Sequence, residues 1–316
     1  MLVVTAAERK IFVDFRYVEQ ATRTAPDFQV VRSPGSPLDA ALEWLKDSVQ
    51  GKIGFEEDFL TVAEFSRMTV KIGNEVWVPV QLDGLRSVKM PEEIEKIIAS
   101  AAIADESLQK ILPLIRPGES ETAVAAALEY EMRIRGSERV AFATIVASGP
   151  RAALPHGVAS DRRIAKGDFV VIDFGAVVEG YHSDMTRTFC MGTATSRQRE
   201  IYSIVLEAQL AGLAAVRAGA FCREVDQAAR NVIAAAGFGE NFGHGLGHCV
   251  GLVIHENPRL APSAGEARLE AGMVVTVEPG IYLPGWGGVR IEDLVVVTED
   301  GCRILSKMDK DLMELA

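Results

Sequence analysis

Cysteine is scarce in this chain, and the few cysteines are not spaced as a metal site or a disulfide framework. The 316 residues contain four, at Cys190, Cys222, Cys249 and Cys302, and none forms a CxxC pair. Structural zinc sites and disulfide-stapled domains need thiols at short, paired spacings. The scatter argues against both, and a reducing cytoplasm is the localisation that we expect.

Long apolar runs and an excess of positive charge are also missing. The apolar run at residues 1–5 is followed by Glu8, Arg9 and Lys10, so it is too short for a signal peptide, and no stretch approaches a membrane span. Lysine and arginine total 33 against 44 aspartates and glutamates, a formal net charge of −11. We therefore expect neither nucleic acid nor a membrane as a partner.

Histidine is rare, and its distribution is uneven. There are five histidines, none before His156, and three of them, His244, His248 and His255, fall within twelve residues. Glycines separate these three and allow the backbone to approach a ligand closely. A lone histidine usually has a packing role, but that reading does not explain such a cluster in a histidine-poor chain.

Two pairs of acidic residues are placed symmetrically about predicted hairpin turns. Asp173 and Asp184 lie at nearly equal distances from the middle of a turn at residues 178–180, and Glu278 and Glu292 are equidistant from Gly285. Directly opposed like charges on neighbouring strands destabilise a sheet. The repeated arrangement therefore predicts a bound cation.

The residue types indicate which cations are suitable. Oxygen ligands with a single imidazole suit Mn²⁺, Co²⁺ or Zn²⁺, whereas structural zinc needs several cysteines or histidines. Four carboxylates carry too much charge for one ion, so we expect two divalent ions. A metal pair about 3.5–4 Å apart activates a water and polarises the bond that the water attacks. The sequence thus predicts a hydrolase.

Hydrophobic patterning divides the chain into two domains. Residues 1–85 alternate strand-like runs with helical ones and predict a small α/β domain. The predicted strands cover residues 2–5, 10–13, 28–31 and 52–55, and the predicted helices cover residues 38–49 and 61–69. Residues 85–90 form the expected connector. Pro91, followed by two glutamates, predicts a helix start, because proline and acids are favoured in a first turn.

The second domain, residues 91–316, contains an internal duplication. The residues 116–118 recur in similar form at 217–219, and residues 167–175 match residues 272–280 at an offset of 105. Each half is predicted to form two helices and then a hairpin that carries two acids. Two halves facing each other would bring all four carboxylates to one centre, although helix-helix-hairpin units also resemble one another by chance.

The stretch HGxGHxxGxxxHExP at residues 244–258, together with the acid pairs, resembles the pita-bread metallopeptidases, and among them the Xaa-Pro peptidases aminopeptidase P and prolidase. The resemblance covers nearly the whole chain. It implies an α+β pita-bread catalytic domain at residues 91–316. It also implies a preceding creatinase/prolidase-like α/β domain at residues 1–85, shortened at its N-terminus, and a homodimer.

The resemblance also implies roles for individual residues. Two metal ions, Mn²⁺ first and Co²⁺ or Zn²⁺ as alternatives, would be bound by Asp173, Asp184, His248, Glu278 and Glu292. The expected catalytic residues are Glu278 as proton shuttle, His255 as oxyanion donor and His156 near the scissile bond. The expected substrate-binding residues are His244, Tyr282 and Arg259, of which Arg259 could bind a substrate carboxylate.

The expected substrates are short peptides with proline at the second position, and cleavage is expected before the proline. Aminopeptidase activity is placed slightly ahead of dipeptidase activity, because no strong carboxylate clamp is evident. A methionine or broad-specificity aminopeptidase is an alternative that His244 disfavours. A non-catalytic binding module or a metal-free hydrolase of the same fold is a further alternative, which the presence of all five ligand positions disfavours.

Overall fold

Short strands and amphipathic helices alternate in the first unit of the chain, Met1–Leu82. In the computed structural model, which describes residues 1–48 and 50–316, the four predicted strands and two predicted helices are present, and α1 and β5 were not predicted. The predicted helix end at Val49 lies outside the described residues. The elements are β1 (Leu2–Val4), β2 (Arg9–Val13), α1 (Val18–Thr24), β3 (Gln29–Arg32), α2 (Pro37–Ser48), β4 (Ile53–Glu56), α3 (Val62–Ile72) and β5 (Trp77–Val80).

The first unit packs its helices on two small sheets. Strand β2 pairs antiparallel with β1 and parallel with β3, and β4 pairs parallel with β5. Apolar side chains of α2, α3 and β5, including Leu42, Met68 and Trp77, form one buried cluster. Helix α3 begins with a reciprocal cap between Thr61 and Glu64, which satisfies free backbone donors at its start.

The second unit, Asp83–Ala316, contains most of the chain. Its long helix α5 begins at Pro91 with Glu92 and Glu93 in the first turn, as predicted. Its helices are α4 (Gly84–Ser87), α5 (Pro91–Ile111), α6 (Glu121–Ile134), α7 (Ser196–Ala215) and α8 (Cys222–Ala235). Throughout residues 1–48 and 50–316, the structure has no helix with both the length and the apolar content that a membrane span requires.

Two larger sheets form the centre of this unit. One has the order β18-β10-β7-β6 and the other the order β12-β11-β13-β16-β17, while β8 pairs with β9 and β14 pairs with β15. The strands are β6 (Ile145–Ser148), β7 (Phe169–Phe174), β8 (Val177–Val178), β9 (Tyr181–His182), β10 (Met185–Met191), β11 (Gly247–Cys249), β12 (Glu256–Leu260), β13 (Val274–Val277), β14 (Gly280–Leu283), β15 (Gly287–Arg290), β16 (Asp293–Val297), β17 (Cys302–Ile304) and β18 (Glu314–Leu315).

The predicted duplication is visible in the backbone. Helices α5 and α6 precede the first sheet, and α7 and α8 precede the second. The glycines after the first helix of each pair also make equivalent bonds: Gly118 N–H donates to Ile164 O, and Gly219 N–H donates to Leu269 O, both at 2.8 Å. Each half therefore delivers its own hairpins to the interior, as the sequence repeat indicates.

The register of the first hairpin differs from the prediction. Asp173 lies opposite Thr186, so Asp184 is diagonal to Asp173 rather than directly across from it. The reason is a two-residue turn at Glu179 and Gly180, both with positive φ, which places the centre of the hairpin between them. Residues 184 and 186 share a face, so Asp184 still reaches the same side of the sheet as Asp173.

The second hairpin follows the predicted register. Gly280 pairs with Arg290 and Val277 pairs with Asp293, so the same register places Glu278 opposite Glu292. The turn between β14 and β15 is centred on Gly285, as predicted. One acid pair therefore faces directly across its hairpin, and the other pair is diagonal.

Gly175, between β7 and β8, tests how tightly the first hairpin is packed. A Cβ atom at Gly175 would lie 1.8 Å from the backbone oxygen of Ser183, so we expect Gly175→Ala to lower the free energy of unfolding by about 3 kcal/mol. Urea denaturation measures this change. The control is Gly84→Ala, because no atom lies within 4 Å of a Cβ there. An unchanged unfolding midpoint for Gly175→Ala would contradict this packing.

Candidate metal centre

Carboxylates from both hairpins meet at one cavity of about 380 Å³ in the second unit. Asp173 lies on β7, Asp184 lies just before β10, and Glu292 lies between β15 and β16. One oxygen of each of these three side chains lies within 4.8 Å of the others. The fold thus concentrates acids that are distant in sequence at a single point.

Two further side chains complete the set. His248, on β11, places its Nε2 atom 3.5 Å from Asp184 Oδ2 and 3.4 Å from Glu278 Oε1. Its Nδ1 atom is 3.0 Å from the Cys249 carbonyl oxygen, which can only accept, so Nδ1 carries the proton and the Nε2 lone pair faces the acid cluster, where it is available to a cation. All five residues predicted as ligands line the same cavity.

Burial controls the electrostatics of these groups. Desolvation lowers the pKa of His248 to about 3, so the imidazole is neutral, as a metal ligand must be. Burial is also the largest cause that raises the pKa values of Asp184 and Glu292, and their acidic neighbours add to it. Without a cation, the fold therefore disfavours full ionisation of the acids.

Two carboxylate oxygens in this cavity lack any hydrogen-bond partner within the described part of the chain. They are Asp173 Oδ1 and Glu292 Oε1, and both are buried. A buried polar atom without a partner is costly, and a cation supplies the missing interaction. The unpartnered oxygens, the clustered carboxylates and the neutral imidazole together fit divalent metal binding.

Arg290 is a site residue that the sequence interpretation missed. It is 2% exposed, its Nη2 atom lies 2.6 Å from Asp173 Oδ2, and its Nη1 atom donates to the Tyr282 hydroxyl at 2.8 Å. The signal was present in the sequence, because Arg290 lies two residues before Glu292 in an apolar run. On a strand, residues two apart share a face, so a charge at 290 points to the same side as Glu292.

His244 and Tyr282, both predicted to bind substrate, contact each other. The His244 Nδ1 atom is 2.8 Å from the Gly245 carbonyl oxygen, so it donates, and the Tyr282 hydroxyl donates to Nε2 at 2.9 Å. Burial lowers the pKa of His244 to about 4. His244 is therefore a neutral residue of the cavity lining, and protein atoms occupy both of its ring nitrogens.

The other predicted residues lie around the same cavity. His156, His255 and Arg259 all line it and keep accessible side chains. The rings of His255 and His248 are 4.4 Å apart between their centroids. Arg259 forms no ion pair with an acid among residues 1–48 and 50–316. A guanidinium with no acidic partner beside a cluster of acids can bind an incoming carboxylate.

Comparison with protein families accounts for both units. The description "metallopeptidase family M24" matches residues 95–299, and "creatinase/prolidase N-terminal domain" matches residues 1–88. The chain belongs to metallopeptidase family M24. The match to residues 1–88 confirms the small N-terminal domain, and membership of family M24 confirms the expected metal-dependent hydrolase and the pita-bread catalytic domain. It also implies a pair of divalent metal ions.

Relatives in family M24 resemble the chain over most of its length. A Xaa-Pro dipeptidase of Pyrococcus furiosus is 50% identical over 229 residues, which are 72% of this chain and 66% of that protein. The structure of a Xaa-Pro dipeptidase from Bacillus anthracis has a TM-score of 0.96 at 44% identity and covers 99% of this chain and 88% of that chain. The structure of an X-Pro aminopeptidase from Thermotoga maritima has a TM-score of 0.91 at 39% identity, and the match covers 99% of this chain and 90% of that chain.

Metal binding should stabilise the protein measurably. We expect chelator-treated protein to melt at a lower temperature, and Mn²⁺ to restore stability by about 2.7 kcal/mol when its free concentration is roughly one hundred times Kd. The reason is that cations neutralise buried acids whose oxygens lack partners. Thermal unfolding at increasing Mn²⁺ concentration measures the effect.

A pair of variants makes this test specific. Asp184→Asn should remove most of the Mn²⁺-dependent increase in stability, because it removes a carboxylate from the cluster. Asp105→Asn is the matched control, since Asp105 is also buried but accepts backbone bonds from Lys307 and Met308. An increment that survives in Asp184→Asn would show that Mn²⁺ binds elsewhere.

Proposed function

We propose that the chain is a Xaa-Pro dipeptidase that hydrolyses the peptide bond before a C-terminal proline. The observation that carries the proposal is the position of Arg259, a cation without an acidic partner in the described chain, in the same cavity as the five predicted ligands. A dipeptide presents its free carboxylate next to the scissile bond, within reach of such a cation. The similarity to two Xaa-Pro dipeptidases supports the same choice.

The residues fit two divalent ions, with Mn²⁺ as our first choice and Co²⁺ or Zn²⁺ as alternatives. Asp173, Asp184, His248, Glu278 and Glu292 would hold them. When bound, a divalent pair lowers the pKa of the attacking water and polarises the carbonyl that it attacks. The remaining chemistry belongs to side chains of the protein.

Glu278 is suited to move a proton. Burial raises its pKa to about 7, and its Oε1 atom accepts a bond from Thr276 Oγ1 at 3.1 Å, which leaves Oε2 for the reaction. We propose that Glu278 takes the proton of the attacking water and delivers it to the proline nitrogen as that bond breaks. Proton transfer by a positioned carboxyl group is an efficient general acid–base step.

We propose that two histidines contact the substrate. His255, next to His248, would donate a hydrogen bond to the oxyanion that develops on the carbonyl, and His156 would contact the substrate beside the scissile bond. The apolar lining residues Phe142, Ile145 and Val158 suit a proline ring. Proline lacks an N–H donor, so shape rather than a backbone hydrogen bond must select it.

Xaa-Pro aminopeptidase activity is the second candidate. The similarity to the X-Pro aminopeptidase of Thermotoga maritima favours it, and the sequence interpretation placed it first because no carboxylate clamp was evident. The substrate peptide of an aminopeptidase continues past the proline, so the proline carries no free carboxylate. The cation at Arg259 would then contribute little to substrate binding. The length of the preferred peptide therefore separates the two activities.

Three peptides test the proposed function. We expect chelator-treated protein to be inactive and Mn²⁺ to restore cleavage of Ala-Pro, with much slower cleavage of Ala-Pro-Ala. Preferred cleavage of Ala-Pro-Ala would favour the aminopeptidase instead. Cleavage of Met-Ala-Ala alone would contradict proline specificity, and inactivity on all three peptides with bound metal would favour a binding module.

Arg259 provides a sharper test of dipeptide recognition. We expect Arg259→Met to raise KM for Ala-Pro by about 10- to 100-fold with little change in kcat, because a charge-assisted bond contributes about 1.5–3 kcal/mol. The control substrate is the amide Ala-Pro-NH₂. It lacks the carboxylate, so Arg259→Met should change its KM only slightly. Equal losses for both substrates would contradict carboxylate binding by Arg259. Steady-state kinetics on metal-loaded protein measures both effects.

A further inference from the structure

The loop that carries His156 is attached at both ends to one buried side chain. We define the His156 loop as residues 148–160, which connect β6 to the segment before β7. His156 lies at its outer part and lines the cavity, while Leu154 and Val158 on either side of it are more than half exposed. A loop exposed in this way needs internal fixation if His156 is to hold one position.

Glu121, in the first turn of α6, supplies that fixation. Its Oε1 atom accepts bonds from the backbone N–H and the hydroxyl of Ser148, both at 2.7 Å. Its Oε2 atom accepts from the backbone N–H of Ser160 at 3.1 Å and from the Ser160 hydroxyl at 2.7 Å. One carboxylate therefore binds both ends of the His156 loop.

Arg151 extends this contact towards His156. Its Nη1 atom forms an ion pair with Glu121 Oε2, and its Nη2 atom donates to the Val158 carbonyl oxygen at 2.7 Å. Val158 N–H in turn donates to the His156 carbonyl oxygen at 2.9 Å. A short chain of hydrogen bonds thus leads from the Glu121 carboxylate to the backbone of His156.

The burial of Glu121 shows that this arrangement is specific. The residue has 0% relative exposure, and a carboxylate is removed from water at this depth only when it is paired and hydrogen-bonded. All of its side-chain bonds go to three residues of the His156 loop, and none goes to α6. Simple capping of α6 does not explain this pattern, because Ser120 already caps that helix.

We propose that Glu121 is a positioning residue that holds His156 against the substrate, an inference that rests on the proposed function. Glu121 does not itself line the cavity. Its carboxylate fixes the distance between Ser148 and Ser160. Arg151 fixes the position of Val158 relative to the Glu121 carboxylate, because it contacts both. Replacing the carboxylate by an amide puts an N–H group among these donors and releases the loop without removing a large side chain.

A double-mutant cycle with His156 tests the proposal. We expect Glu121→Gln to lower kcat/KM for Ala-Pro by about 10- to 100-fold, since a displacement of about 1 Å at a reacting group has effects of this size. In the His156→Ala background, the same change should lower kcat/KM by less than about 3-fold, because interacting residues are not additive. Equal losses in both backgrounds would overturn the proposal.

Asp105→Asn is the matched control, because it also removes the charge of a buried carboxylate that accepts backbone bonds. Asp105→Asn should lower the melting temperature, and any effect that it has on kcat/KM should be the same in the wild-type and His156→Ala backgrounds. Hydrogen exchange provides a readout that does not depend on activity: Glu121→Gln should accelerate amide exchange at residues 148–160 and leave β7 unchanged. Exchange that is unchanged in the loop, or equally accelerated throughout the unit, would overturn the proposal.

These results also separate the positioning role from the proposed function. If the wild-type protein does not cleave Ala-Pro, the proposed function fails, whereas local acceleration of exchange in Glu121→Gln would still show that the carboxylate fixes the loop. If the wild-type protein cleaves Ala-Pro and the cycle is additive, only the positioning role fails.

Discussion

Repulsion among buried carboxylates is the constraint on which the second unit depends. Oxygens of Asp173, Asp184 and Glu292 lie within 4.8 Å of one another, and burial together with neighbouring negative charge raises the pKa values of Asp184 and Glu292. The structure compensates only in part: Arg290 pairs with one oxygen of Asp173, and Thr186 donates to one oxygen of Glu292. Other oxygens have no protein partner, so a cation completes the electrostatics of the fold as well as the chemistry of the site.

The strands next to these acids are packed into the core. Strands β7, β10, β13 and β16 are buried almost throughout. Arg187 connects the hairpins, since it donates to the Glu292 carbonyl oxygen and pairs with Asp293 at 2.8 Å, with 1% of the residue exposed. Breaking such a buried pair is strongly destabilising. The contacts that hold the backbone of Glu292 in place therefore also stabilise the core. Stability and the metal centre therefore depend on the same residues.

The sequence predicted much of this arrangement, and the failures have physical reasons. Symmetry about Gly285 predicted the Glu278–Glu292 pair, because the loop there has a fixed centre. The same reasoning failed for Asp173 and Asp184, because a turn of two positive-φ residues, Glu179 and Gly180, shifts the register. Spacing could place Arg290 on the same side as Glu292, but it could not identify the side chains that Arg290 and Glu121 contact. Both residues bind partners that are far away in the sequence, and only the three-dimensional structure brings these together.

The duplication has a consequence for how the protein forms during synthesis. Each half carries one acid pair in its own hairpins, and the two pairs meet only when both sheets are complete. While the second half is still being made, Asp173 and Asp184 have no partners across the centre and cannot retain a cation with full affinity. The centre can therefore mature only late, after the long-range contacts between halves have formed, and such contacts are the slow step of folding. A chain interrupted before Glu292 would lack one carboxylate of the cluster and could not complete the centre.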